Sequence, residues 1–88
     1  MKYIVNRDLT VRNIAGETFI MDRNNGIVHS FNPCGIFIWR NITDEKPFEE
    51  IVQAVEQEYD VTRENAEEDV FQFILHLEKS GLVSIAEQ

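Results

Sequence analysis

The chain has 88 residues, which is enough for one small domain, residues 1–88, and leaves no room for a second. It carries 16 acidic residues against 8 Lys and Arg, so its formal net charge at pH 7 is −8. Nucleic acids and anionic membrane surfaces attract proteins with a positive face, and the charge therefore argues against both as partners. Since Cys34 is the single cysteine, the chain can form neither an internal disulfide framework nor the usual cysteine-rich zinc site.

The N-terminal residues show no export signal. Charged and polar residues interrupt the segment from Met1 to Leu9, whereas the core of a signal peptide is a continuous apolar stretch. Nowhere do about 18 apolar residues follow one another, so the sequence predicts no membrane-spanning helix. We therefore expect a protein of the cytoplasm, in a reducing environment.

The first half of the chain has the alternating hydrophobic pattern of β-strands. It predicts an antiparallel meander of three strands, which are Leu9–Ile14, Glu17–Asp22 and Ile27–Phe31. Asn25 and Gly26 predict a type I′ turn between the second and third strands, because that turn needs two positive φ angles. The first and third strands are then the edges of the sheet, and a short arm at Tyr3–Val5 precedes it.

The second half has helical periodicity and predicts three helices. Asn32 is a good helix cap and Pro33 loses no hydrogen bond at a first helical position, so the first helix starts here and ends near Asn41. Pro47 opens the second helix, and Thr62 caps the third. The expected architecture is α+β, a three-stranded antiparallel meander followed by three helices.

The predicted third helix runs to about Ser80 and stops at Gly81, ahead of a short extended tail. At about 100° per residue, one stripe of this helix faces the core. The stripe consists of Ala66, Val70, Phe73, Ile74, Leu77 and Gly81. Phe71 and Leu75 lie outside it and widen the apolar arc to roughly 200°. Either the helix is wedged between two halves of a small core, or the extra flank lines a groove for a partner.

The predicted third strand is a second candidate surface. Ile27–Phe31 contains no proline, lysine or glutamate, the residues that commonly protect a sheet edge. An extended peptide that added there would gain main-chain hydrogen bonds, while the neighbouring helix would select its side chains. The alternative is that the Tyr3–Val5 arm or a second subunit covers this edge.

No group of residues indicates catalysis or metal binding. Cys34 lies in a first helical turn, where the pKa of a thiol can fall, but neither His29 nor His76 has a spacing that suggests a catalytic dyad. The three residues also lack the spacing of metal ligands, and no glycine-rich phosphate loop exists. We expect a protein without enzymatic activity, metal or cofactor.

Three helices and a meander resemble a winged helix-turn-helix, a fold that often binds DNA. The helix that would read DNA carries the carboxylates Glu64, Glu67, Glu68, Asp69 and Glu78. Only Arg63 and Lys79 oppose them, so phosphate groups would meet repulsion. The predicted geometry fits that fold, but the charge argues against DNA as the ligand.

The segment from Ser30 to Trp39, with the sequence SFNPCGIFIW, resembles the signature that joins the third strand to the first helix in the PqqD-like family. Phe31 stands where that family usually has leucine. The order and spacing agree further in the hairpin, at the end of the second helix, and along the third helix and its exit. These positions are Asp22, Asn25, Gly26, Ile27, Glu58, Tyr59, Asp60, Val61, Ala66, Asp69, Val70, Phe73, Ile74, Leu77, Gly81 and Leu82.

The resemblance, which covers Val5 to Ile85, implies a peptide chaperone of the kind called a RiPP recognition element. Such a domain holds the leader of a ribosomally synthesised precursor peptide and presents it to a modifying enzyme, often a radical SAM enzyme. The leader lies as an added strand along the third strand, against the third helix. The implied peptide site comprises Ile27, Val28, His29, Ser30, Phe31, Asp69, Phe71, Gln72, Phe73, Leu75 and His76. Asn32 and Trp39 would be structural, as a helix cap and a core anchor.

The sequence leaves two other functions open. Two copies could pair their third strands edge to edge, which would make the chain a homodimeric assembly domain. The other possibility is a winged-helix regulator that binds a folded protein rather than DNA. Such a regulator would have no affinity for short peptides.

Overall fold

The computed structural model describes residues 2–86. The strands are β1 (Lys2–Val5), β2 (Leu9–Ile14), β3 (Glu17–Asp22), β4 (Ile27–Ser30) and β5 (Val83–Ala86), and the helices are α1 (Pro33–Thr43), α2 (Phe48–Tyr59) and α3 (Arg63–Lys79). A three-stranded antiparallel sheet followed by three helices confirms the predicted α+β fold. Within residues 2–86, no helix is long and apolar enough to cross a membrane.

The meander has the strand order β2-β3-β4, so β2 and β4 are its edges, as predicted. Ile20 in the central strand pairs with Val11 on one side and with His29 on the other. Ile20 is fully buried, which shows that this face of the sheet turns toward the helices. On the opposite face Met21 pairs with Val28, and both side chains are exposed.

The β3–β4 hairpin has a different turn from the predicted one. Four residues, 23–26, connect the strands, and in this loop only Gly26 has a positive φ, of 66°. The prediction of a type I′ turn at Asn25 and Gly26 was therefore wrong. The physical reason is the buried carboxylate of Asp22, which accepts hydrogen bonds from the backbone N–H groups of Asn24 and Asn25 and holds both residues in a wider turn.

A second sheet joins the two ends of the described chain. β1 pairs antiparallel with β5, with Ile4 opposite Ser84. The Tyr3 hydroxyl also donates a hydrogen bond to the Lys46 carbonyl oxygen, which ties β1 to the connection between α1 and α2. The sequence predicted only a separate arm and a separate tail. Because β1 pairs with β5, the arm does not cover the edge of β4.

The core lies where the three helices meet β3 and β5, and α3 is its central element. Four members of the predicted stripe are buried, namely Ala66, Val70, Ile74 and Leu77, whereas Phe73 is half-buried and Gly81 lies beyond the helix and is exposed. The Thr62 side chain accepts a hydrogen bond from the N–H of Asn65 and caps this helix. At its other end Gly81 has a φ of 79°, a left-handed conformation that glycine adopts at little cost and that stops the helix.

Candidate functional site

A groove of about 570 Å³ lies between α3 and the junction of β4 with α1. The wall formed by β4 and α1 consists of Ser30, Phe31, Asn32, Cys34, Gly35 and Ile38. The wall formed by α3 consists of Asp69, Gln72, Phe73 and His76. These four positions follow the spacing i, i+3, i+4 and i+7, which places them on one face of the helix.

The floor of the groove is aromatic. The rings of Phe31 and Phe73 meet edge to face with centroids 5.0 Å apart, and Phe31 also lies against Trp39 at a centroid distance of 6.4 Å. Trp39 is buried, whereas Phe31 and Phe73 are half-buried. Part of each phenyl ring is therefore accessible to an apolar side chain of a ligand.

Gly35 allows α1 to approach this floor closely. A Cβ atom at this position would lie 2.9 Å from Cβ of Phe31 and 3.1 Å from Cε1 of Phe73. The N–H of Gly35 donates a hydrogen bond of 2.7 Å to Oδ1 of Asn32, which confirms Asn32 as the cap of α1. The residues from Asn32 to Gly35 therefore start the helix and also shape the end of the groove.

The outer edge of β4 adjoins the groove and is unpaired in the part of the chain that the structure describes. β4 pairs with β3 alone, and β1 pairs with β5. Ile27 and Val28 on this strand are 49% and 57% exposed. The ring of His29 is half-buried, and its Nε2 atom has no hydrogen-bond partner among residues 2–86. The edge presents free backbone groups to an extended chain.

The structure brings together some of the site residues expected from the sequence and separates others. Those that line the groove are Ser30, Phe31, Asp69, Gln72, Phe73 and His76. Ile27, Val28 and His29 lie on β4, toward the hairpin. Phe71 and Leu75 lie on the other flank of α3 and do not line the groove, because their angular positions fall on the far side of the buried stripe.

Sequence reasoning did not assign Asn32, Cys34, Gly35 and Ile38 to the peptide site, although all four line the groove, and it gave Asn32 only the role of a helix cap. Gly35 had a usable signal, since glycine in the first turn of a helix is unfavourable and indicates close approach of another group. Cys34 and Ile38 had none, because a half-buried thiol and a buried aliphatic side chain fit any helix that faces a core.

The groove contains one thiol, that of Cys34, beside the carboxylate of Asp69. Burial, and secondarily the negative charge of Asp69, raise the pKa of the Cys34 thiol above its ordinary value. A raised pKa keeps this thiol protonated at neutral pH, and the protonated form is a poor nucleophile. Among residues 2–86, no group of three or more His, Cys, Asp or Glu side chains could hold a metal ion.

Comparison with solved structures finds the same fold in two proteins. TbiB1, solved in complex with the TbiA(beta) leader peptide, is 25% identical with a TM-score of 0.86, over 96% of this chain and 98% of that one. Lasso peptide synthetase B1, complexed with the leader peptide, is 19% identical with a TM-score of 0.88, over 97% of this chain and 100% of that one. No curated protein matches the sequence significantly.

Residues 17–83 match the family described as coenzyme PQQ synthesis protein D (PqqD). The matched region runs from the start of β3 to the start of β5 and includes both walls of the groove. This match confirms the resemblance found in the sequence, and the chain belongs to the PqqD family.

Proposed function

We propose that this chain holds the leader of a ribosomally synthesised precursor peptide and presents the precursor to a modifying enzyme. The leader adds as a fourth strand at the edge of β4, and the side chains on one of its faces enter the groove against α3. The observation that carries this proposal is the β4 edge, which no strand within residues 2–86 covers, beside a groove with a half-buried aromatic floor. TbiB1, which has the same fold and was solved with a leader peptide, supports it.

Backbone hydrogen bonds would supply affinity with little dependence on sequence, since every residue of an extended peptide except proline offers them. The groove would supply selectivity. Phe31 and Phe73 offer an apolar surface, and Asp69, Gln72 and His76 offer polar contacts beside it. A site of this modest size fits micromolar affinity or somewhat tighter, a binding free energy of about −8 kcal/mol or more negative.

The chain would act by positioning the precursor peptide at the enzyme, and it would catalyse no step itself. A precursor held by its leader has a high effective concentration at an enzyme that also binds this chain, and no reactive group is needed here. We propose a radical SAM enzyme as the partner, following the resemblance of the sequence. Ribosomal synthesis of the precursor would place the encounter in the cytoplasm.

Affinity capture of the tagged chain from its own host, read by mass spectrometry, tests the proposal. The expected result is a short ribosomal peptide, with or without the modifying enzyme. A synthetic copy of that peptide should bind the purified chain with a micromolar or lower Kd in calorimetry.

Two results would overturn the proposal. Recovery of the chain alone, with a concentration-dependent mass of twice the monomer, would favour a homodimer that pairs its β4 edges. Recovery of a folded regulator, together with no binding of any recovered short peptide, would favour the winged-helix regulator.

A further inference from the structure

Among residues 2–86, Asp69 is the single acidic residue that lines the groove, on the same wall as Phe73 of the aromatic floor. The inference drawn from it rests on the proposed function and concerns which leaders the groove accepts. His76 lies seven residues further along α3, toward the other end of the same face. The groove is therefore anionic at one end and not at the other.

The Asp69 carboxylate is available to a ligand. It is exposed, and it takes part in no hydrogen bond or ion pair among residues 2–86. Neighbouring carboxylates on the same helix are already engaged: Glu67 pairs with Arg63, and Glu68 accepts a hydrogen bond from the Gln72 side chain. Asp69 is thus the groove-lining carboxylate free to accept a bond from a bound peptide.

The distance between Asp69 and the aromatic floor matches the repeat of an extended chain. Phe73 lies four residues from Asp69 on α3, which corresponds to about 6 Å along the helix axis. In a β-strand, side chains on one face recur every two residues, about 6.6–6.8 Å apart. An added strand that runs alongside α3, with one side chain on Phe31 and Phe73, would bring its same-face neighbour two residues away opposite Asp69.

We infer that the groove selects leaders in which a large apolar side chain lies two residues from a lysine or arginine. The apolar side chain would cover the rings of Phe31 and Phe73, and the basic side chain would donate hydrogen bonds to the Asp69 carboxylate. The net charge of −8 acts in the same direction, because it attracts basic peptides over a longer range. An acidic residue at the same position would be repelled by Asp69.

Selection from a displayed library of random 15-residue peptides tests this inference. Three purified chains serve as targets: the wild type, Asp69→Lys and the matched control Glu78→Lys. Glu78 is an exposed residue of the same helix that does not line the groove, and both substitutions change the net charge equally. The wild type and the Glu78→Lys control should enrich peptides with an apolar residue two positions from Lys or Arg. Asp69→Lys should instead enrich peptides with Asp or Glu in place of that Lys or Arg.

A synthetic peptide with the wild-type consensus gives the quantitative readout. It should bind Asp69→Lys about tenfold more weakly than the wild type, and Glu78→Lys within about twofold. Enriched peptides with an apolar anchor but no basic residue two positions away, or equal losses in both variants, would overturn the inference and leave the proposed function standing. If the folded wild type enriches no peptide at all, the proposed function itself fails.

Discussion

Phe31 and Phe73 meet edge to face, with ring centroids 5.0 Å apart and ring planes at 78°. Phe31 lies in the short connection between β4 and α1, and Phe73 lies on α3. The pair therefore joins the end of the sheet to α3 at the floor of the groove. Such a pair stabilises a fold by about 0.5–1.5 kcal/mol beyond its buried area. The same two rings therefore serve both stability and the proposed peptide contact.

Gly35→Ala should lower the free energy of unfolding by about 1–3 kcal/mol, because the added Cβ overlaps this ring pair. The contact would be 2.9 Å to Cβ of Phe31, which is held by the backbone and cannot move away freely. Helix propensity alone makes the opposite prediction, a gain of about 0.5–1 kcal/mol. Urea unfolding followed by circular dichroism decides between the two predictions. A Gly35→Ala variant with a higher free energy of unfolding than the wild type would show that the packing of Phe31 against Phe73 does not require glycine at this position.

Asp22 should make the free energy of unfolding depend on pH, with a loss of stability in acid. Its carboxylate accepts hydrogen bonds from the Asn25 side chain and from the backbone N–H groups of Asn25 and Asn24, and these bonds lower the pKa of Asp22. Since an unfolded aspartate has a pKa of about 3.9, the stabilisation is complete above that pH. It is lost as the pH falls below about 4 and through the lowered pKa of the folded state.

The comparison of Asp22→Asn with the wild type isolates this effect from the other carboxylates. The urea midpoint of the variant should be lower than that of the wild type at pH 7, and the gap should narrow toward pH 2. Asp44→Asn is the control, because Asp44 is exposed and its carboxylate makes no hydrogen bond among residues 2–86. A gap for Asp22→Asn that stays constant from pH 7 to pH 2 would contradict the assignment.

Local signals in the sequence predicted most of the fold. Asn32 and Thr62 cap their helices, and Gly81 ends α3 in a left-handed conformation, because each of these roles is decided by neighbouring backbone groups. The predicted strands Leu9–Ile14 and Glu17–Asp22 also have the observed bounds, and the two residues left between them, Ala15 and Gly16, form the turn with positive φ angles. Caps and short turns depend on few residues, and those residues are adjacent in the chain.

Long-range features were harder to predict. The pairing of β1 with β5 brings together opposite ends of the described chain. Each strand has only four residues, and so short an alternation of apolar and polar residues does not predict which strand it pairs with. The β3–β4 turn depends on the buried carboxylate of Asp22, which its sequence neighbours do not reveal. Which flank of α3 borders the groove depends on where α1 packs, so the expected set contained residues of both flanks.

The two flanks of α3 should contribute differently to peptide binding. Gln72 and His76 line the groove and are exposed, so their joint replacement by alanine removes ligand contacts with little effect on the core. We expect binding of the peptide recovered from the host to weaken about tenfold. Joint replacement of Phe71 and Leu75 by serine is the matched control and should change binding less than about twofold, because neither residue borders the groove.

Fluorescence anisotropy with a labelled peptide measures both affinities, and urea unfolding confirms that both double variants are folded. The opposite pattern is equally informative. If the Phe71 and Leu75 variant lost binding while the Gln72 and His76 variant kept it, the peptide would occupy the far flank of α3, and the exposed ring of Phe71 would be part of the site.

Val28→Pro should abolish most peptide binding while it leaves the helices folded. Proline removes one backbone N–H from the edge that the added strand would use, and it also obstructs the approach of that strand. Because the Val28 side chain is 57% exposed, its loss removes little from the core.

Val11→Pro on β2, the other edge of the same sheet, is the control. It introduces the same residue at a comparably exposed valine and should leave affinity unchanged. Circular dichroism establishes that both variants are folded, and a folded Val28→Pro variant with wild-type affinity would exclude strand addition at β4.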